Sequence, residues 1–231
     1  IAEDGYRSIS SSAVRDEVSL HFNLKDLHNL VSPLVISRLI EKTLGFDNIF
    51  MVVGKPGSGK TTFLKMLSGL DPGHVFIETD KWNSIFRPLL AQHFGTSDLF
   101  RLVLERDSEV SNFLKDYWLD MVRWALRDAV GKKNVFIEAA YGLAPNKSLF
   151  RFLGGKVIYI GCDDDSENKA RIVNRGTPEI IPFIDKILGR TESEKIAEDN
   201  KLALTTINTS CSEQELTTLA EKFCRDLKGE E

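Results

Sequence analysis

Apolar and polar positions alternate in long blocks along this chain, and each block has its own period. Phe50 to Val53 is an unbroken apolar run of the kind a strand buried on both faces requires, and Phe63, Leu64, Met66 and Leu67 then recur at helical spacing. His74 to Thr79 predicts a second strand ending in Asp80, after an Asp71-Pro72-Gly73 turn. From 81 to 133 strand character disappears, and Val110, Phe113, Leu114, Tyr117, Trp118, Met121, Val122 and Ala125 form one helical stripe. Asn134 to Glu138, Lys156 to Gly161 and Leu204 to Asn208 predict three further strands, and Glu213 to Leu227 a closing helix. Strands alternating with helices predict an α/β fold, a parallel sheet sandwiched between two helical layers. Ahead of it, residues 1–19 are polar and serine-rich. Residues 24–44 look helical with a break at Pro33, so 1–45 is expected to be a partly helical N-terminal extension to a main domain over 46–231. That extension is expected to pack on the edge of the domain; binding a partner is the other reading of its apolar stripe.

The strand–helix junction carries the chemistry. Gly54-Lys-Pro-Gly57-Ser58-Gly59-Lys60-Thr61-Thr62 follows an apolar run and opens a helix, the setting of a phosphate-binding loop, the Walker A element. Glycines let backbone approach a polyphosphate, loop and helix N–H groups point at it, Lys60 neutralises the outer phosphates, and the Thr61 hydroxyl can ligate magnesium. A turn that merely joined a strand to a helix would need neither the lysine nor the hydroxyl. The expected ligands are ATP and Mg²⁺, with Gly57, Ser58, Gly59, Lys60, Thr61 and Thr62 as the nucleotide-binding set.

Phosphoryl transfer further needs a carboxylate to orient or deprotonate the acceptor hydroxyl. Asp80, at the end of strand two, is the candidate, with capping of the following helix as the alternative role. Glu78 is expected on the same strand face, within reach of magnesium through water. Glu138 ends the apolar run Val135-Phe136-Ile137, as a magnesium-orienting acid would, against helix capping or an internal ion pair.

Composition narrows the setting. A formal net charge of −4 argues against broad attraction to nucleic acid or anionic membrane, leaving small phosphorylated ligands as candidates. Three cysteines without CxxC spacing suggest neither a disulfide framework nor a zinc site, and no apolar run reaches membrane-spanning length. A cytoplasmic setting is expected. His21, His28, His74 and His93 have no metal or triad spacing.

On the Gly54–Thr62 loop, on Phe76-Ile-Glu-Thr-Asp80 and on the ending Gly189-Arg190 with Thr206-Ile-Asn208-Thr-Ser210, residues 47–223 resemble the P-loop small-molecule and nucleotide kinases. Within them the chain looks most like the shikimate kinase, gluconate kinase and chloramphenicol phosphotransferase group. The resemblance implies a P-loop NTPase fold and a lid region over 163–190, whose Arg171 and Arg175 close over the triphosphate as catalytic residues alongside Lys60 and Asp80. It further implies a helical substrate-recognition segment over 81–133, and Arg190 and Asn208 beside the nucleotide. The same two arginines also read as a solvated helix face pairing with Asp164, Asp165 and Glu167. Gly176-Thr177-Pro178 is the expected hinge. The chain departs from the pattern in two places. Glu78 stands first in the strand-two motif, and Thr191 to Glu194 offer no tyrosine after Arg190.

The segment after Asp80 is similar to that of polynucleotide 5′-kinases and zeta-toxin-type kinases, which implies Arg87 as a substrate-binding residue, although it comes later here. Trp82 could stack on a base or sugar, or simply pack. The expected activity is transfer of the γ-phosphoryl of ATP to a hydroxyl of a small metabolite or nucleotide. A nucleic-acid 5′ end as acceptor, and a regulatory NTPase, are the alternatives.

Overall fold

The computed structural model describes residues 41–42, 44–138, 156–162, 164–175, 180–191 and 205–229. Among the described residues five parallel strands form one sheet in the order β2-β3-β1-β4-β5. They are β1 (Asn48–Val53), β2 (His74–Glu78), β3 (Asn134–Glu138), β4 (Val157–Gly161) and β5 (Thr205–Asn208). Between them run α1 (Lys60–Leu70), α2 (Asn83–Phe94), α3 (Leu99–Asp128), α4 (Asp165–Asn174) and α5 (Ile184–Thr191), and α6 (Glu213–Lys228) follows β5.

The period of two in β1 divides the core. Ile49, Met51 and Val53 face Phe86, Leu90, Leu114, Trp118 and Val122 of α2 and α3, whereas Phe50 and Val52 face Phe63, Leu64 and Leu67 of α1 and Leu216 and Ala220 of α6. With both faces covered, the central strands show no polar alternation, and β3 and β4 are buried throughout. Each fully buried side chain of the Phe63 or Leu67 kind contributes about 1.5–3 kcal/mol. The edge strands β2 and β5 are more exposed, which is where a sheet tolerates polar residues.

Two expectations change on this frame. Strand two stops at Glu78, and Thr79–Trp82 is a 3₁₀ turn, because the buried Thr79 hydroxyl donates to the Glu138 carbonyl at 2.7 Å while Trp82 turns inward onto Trp118, ring centroids 5.1 Å apart. Asp80 and Glu78 therefore do not share a strand face. Of the helical stripe, Val110, Leu114, Trp118 and Val122 are buried, but Tyr117 is exposed. α3 also bends at Arg106, whose φ of −136° and ψ of 37° are non-helical. Residues 1–40, the proposed hinge 176–178 and residues 139–155 and 192–204 lie outside the described residues.

Candidate active site

β1 is the central strand, flanked by β3 and β4, and the loop leaving its C-terminal end runs directly into α1. In an open parallel sheet this is where ligands bind. Gly54, Gly57 and Gly59 all have positive φ. Each is required: a Cβ on Gly54 would lie 2.0 Å from the Ile160 carbonyl of β4, one on Gly57 would lie 2.6 Å from the Asn168 carbonyl of α4, and Gly59 caps α1 in the left-handed region at φ 84°. Side chains of Asp98, Asp164 and Ser212 cap α3, α4 and α6, whereas none caps α1. α2 lacks a side-chain cap as well, but α1 opens from the loop at the end of the central strand, so its first N–H groups are offered at the edge where the helix dipole favours an anion.

Lys60 folds back over the loop. Its Nζ donates to the carbonyls of Gly54 and Lys55 at 3.1 and 3.0 Å, and the side chain is buried. Burial pushes its ammonium below the ordinary lysine range, the charges of Glu138 and Asp80 oppose this, and Arg175 adds to it. Lys60 thus lies within the field of both acids and of an arginine from the far wall.

β3 delivers Glu138, in register with Val52 on one side and Glu78 on the other. Its buried carboxylate accepts from Thr61 Oγ1, which stands 3.0 and 3.2 Å from its two oxygens. Burial raises the Glu138 pKa; Lys60 and the Thr61 bond oppose the rise, and Asp80 and Glu78 reinforce it. Neither helix capping nor a simple ion pair describes this residue. Among the described residues no three His, Cys, Asp or Glu side chains gather as a metal cage. A hydroxyl and a carboxylate touching each other are hard oxygen donors, and they fit Mg²⁺, which takes one or two protein ligands and completes its shell with water and phosphate.

Asp80 is exposed on the 3₁₀ turn, and the residues at the cap positions of that turn and of α2 are Glu78 and Trp82, neither with a side-chain capping bond. The capping role expected as its alternative is therefore filled by no bond from Asp80. Glu78 instead pairs with Lys81 at 3.1 Å, and Trp82 is buried packing. Arg87 is half-buried on α2. His74 is a core histidine against the Leu67 carbonyl, and His93 stacks on Phe113.

The two arginines of α4 separate. Arg171 is tied down: it reaches the Gly57 carbonyl at 3.4 Å, Thr209 Oγ1 at 3.1 Å, the Thr209 carbonyl at 2.9 Å and Glu167 at 2.5 Å. The Glu167 pairing expected of a solvated face is present, but it belongs to a larger knot. Arg175, just past the helix end, is exposed. Both line a groove of about 540 Å³ with Gly59, Thr62, Met66 and Glu213. Asn208 sits at the tip of β5, its Oδ1 accepting from Ser210 N at 2.9 Å. Arg190 lies in α5, and its side chain is outside the described residues.

α4 itself is anchored to the loop. Lys55 pairs with Asp165 at 2.8 Å, and Asn168 and Ile172 are buried beside Gly57. Sequence reasoning assigned no role to Thr209 or Asn168. Their partners lie 38 to 151 residues away in the case of Thr209, so no local pattern marks it.

No family model matches the chain, and no curated protein does. Among solved structures it is similar to TT1252 from Thermus thermophilus, with a TM-score of 0.58 and 17% identity over 78% of this chain and 97% of that one. It is also similar to shikimate kinase from Acinetobacter baumannii in complex with shikimate (TM-score 0.48, 18% identity, 82% of this chain and 97% of that one). A third is shikimate kinase from Bacteroides thetaiotaomicron (TM-score 0.48, 17% identity, 78% and 98%). At 17% identity the TT1252 likeness speaks for fold. The chain has an α/β three-layer fold, a parallel sheet between two helical layers, which it shares with TT1252. No helix among the described residues is long and apolar enough to cross a membrane.

Proposed function

We propose that this protein is an ATP-dependent phosphotransferase that moves the γ-phosphoryl group to a hydroxyl of a small metabolite or nucleotide. The observation that carries the reading is the Thr61–Glu138 contact, which joins the first hydroxyl of α1 to the acid at the tip of β3, in the same electrostatic field as Lys60 and Asp80.

The loop amides of residues 57–62 and the uncapped start of α1 bind the phosphates, and Lys60 swings from the Gly54 and Lys55 carbonyls to the outer phosphates. Thr61 and Glu138 would hold magnesium, which when bound supplies charge neutralisation across the terminal phosphates. Asp80 accepts the proton of the acceptor hydroxyl as its oxygen bonds to the γ-phosphorus. The bond from that phosphorus to the bridging oxygen breaks, and ADP leaves with the electron pair. Arg175, on the groove wall, donates to the oxygens on which charge grows. Arg87 is assigned to the acceptor, and Arg190 and Asn208 to the nucleotide.

Incubation with γ-labelled ATP, magnesium and panels of metabolites and oligonucleotides tests this. Label is expected in a new small-molecule ester and is expected to disappear in Lys60→Ala. Release of free phosphate alone, whatever the acceptor, would assign the site to a hydrolase.

A further inference from the structure

Resting on that reading of the loop as a phosphate cradle, we infer that Thr209 is a positioning residue that orients a phosphate-facing amide of the loop from outside the motif.

Thr209 follows β5 and is 2% exposed. Its hydroxyl oxygen lies 2.7 Å from the Ser58 carbonyl, 3.1 Å from the Gly161 carbonyl and 3.1 Å from Arg171 Nη1. A hydroxyl has one proton to give. The Gly161 carbonyl already accepts from the Thr209 backbone N–H at 2.9 Å, so the proton goes to Ser58, the shorter contact. Arg171 has only donors, so Thr209 accepts from it. The result is a relay in one direction, from the Arg171 guanidinium through the Thr209 hydroxyl to the Ser58 carbonyl. Arg171 holds the other end of the residue too, donating Nη2 to the Thr209 carbonyl at 2.9 Å.

The Ser58 carbonyl shares a planar peptide unit with the Gly59 N–H, and the chain has no cis peptide bond among the described residues. Carbonyl and N–H of one trans unit point in opposite directions, so fastening the carbonyl to Thr209 turns the Gly59 N–H away from it. Donation into the carbonyl also polarises the peptide and strengthens that N–H as a donor. Gly59 is the left-handed residue that introduces α1, and a Cβ there would come within 3.1–3.2 Å of the Thr209 side chain, so the two are in close register. Residues within the loop motif set which amides are available. Thr209 sets where one of them points.

The test compares ADP with AMP in the presence of magnesium, because the two share base, ribose and α-phosphate. By calorimetry, Thr209→Val, which keeps the shape and loses the hydroxyl, is expected to weaken ADP about 5- to 10-fold, the size of one loosened buried hydrogen bond. AMP affinity is expected to stay within about 2-fold. Thr209→Ser restores the donor and is expected to restore ADP binding. Arg171→Met removes the relay's origin and is expected to lower the ADP-to-AMP affinity ratio even should Thr209→Val not fold. Equal losses for ADP and AMP, a Thr209→Ser variant as weak as Thr209→Val, or an unchanged ratio in Arg171→Met would overturn the inference. A wild-type protein that binds neither nucleotide would instead overturn the phosphate-cradle reading itself.

Discussion

The two sides of the groove are built on opposite principles. On the loop side, Lys60 and Glu138 are buried charged groups only partly compensated, with the half-buried Thr61 hydroxyl against the latter, and burial drives both Lys60 and Glu138 towards their neutral forms. On the α4 side, Arg171, Glu167 and Thr209 are joined in one hydrogen-bonded knot, and Asp165 is tied to Lys55. The first arrangement costs stability until a polyphosphate and a cation arrive. The second holds the frame in which that cost can be kept. Catalysis gains only from interactions that strengthen in the transition state. The loop side, together with the exposed Arg175, is therefore expected to govern turnover, and the bonded knot of Arg171, Glu167 and Thr209 to govern affinity.

The strongest challenge to this division is Asp80→Asn. The exposed carboxylate is the only difference removed, shape is kept, and turnover with a productive acceptor is expected to fall about 10²- to 10⁴-fold while ATP affinity holds. Single-turnover label transfer measures it, and near-normal transfer would move the proton-accepting role to Glu78.

A sharper contrast comes from the two arginines, which sequence spacing alone would treat as equals. Arg175→Lys keeps a cation on the groove wall but loses the planar fork, so turnover is expected to drop about 10-fold with little change in ATP affinity. In Arg171→Lys the ammonium cannot serve Gly57, Thr209 and Glu167 together, and ATP affinity is expected to drop about 5- to 10-fold, with turnover at saturation changing less. Identical splits between kcat and KM in the two variants would dissolve the distinction.

The smallest effect is on stability. The Glu138 carboxyl titrates above 4.5 because burial disfavours its charge, so the folded protein keeps a proton that the unfolded chain has released. In the unliganded protein this group's contribution therefore falls as pH rises from 4.5 through its elevated value, and stays low above it. Glu138→Gln is expected to raise the melting temperature at neutral pH by a few degrees, about 1 kcal/mol corresponding to about 2–4 °C at this size. The gain should vanish below pH 4.5. A variant less stable than wild type at neutral pH would mean that the Thr61 and Lys60 contacts outweigh the burial cost.

Much of the fold was legible because its signals are local. Apolar runs marked β1, β3 and β4 to within two residues, since strands covered on both faces cannot carry polar side chains. The end of β2 was not legible: Phe76 to Thr79 reads as continuous strand, and only the bond from Thr79 to Glu138, 59 residues away, turns the chain early. The loop residues 54–62 stood out in the sequence as a candidate phosphate-binding element, because that chemistry calls for glycines, a lysine and a hydroxyl in one contiguous stretch, and the structure places them where β1 meets α1. Arg171 and Arg175 look alike in sequence, and their separation depends on Thr209 and Gly57, which periodicity cannot bring to them.

By itself, then, the sequence determined what each segment would be and which atoms it would offer: the strand periods, the helix faces, the nine-residue loop and the acids at or near the ends of two strands. These follow from backbone geometry and side-chain type within a few residues. Tertiary structure decided which of those atoms meet. The sheet order sets β3 beside β1, so that Glu138 meets Thr61, and sets β4 and β5 on the other side, so that Thr209 reaches the Ser58 carbonyl across 151 residues. Such contacts depend on the pairing of whole strands, and the burial energy that selects the pairing is spread over two core layers instead of residing in the residues that it brings together.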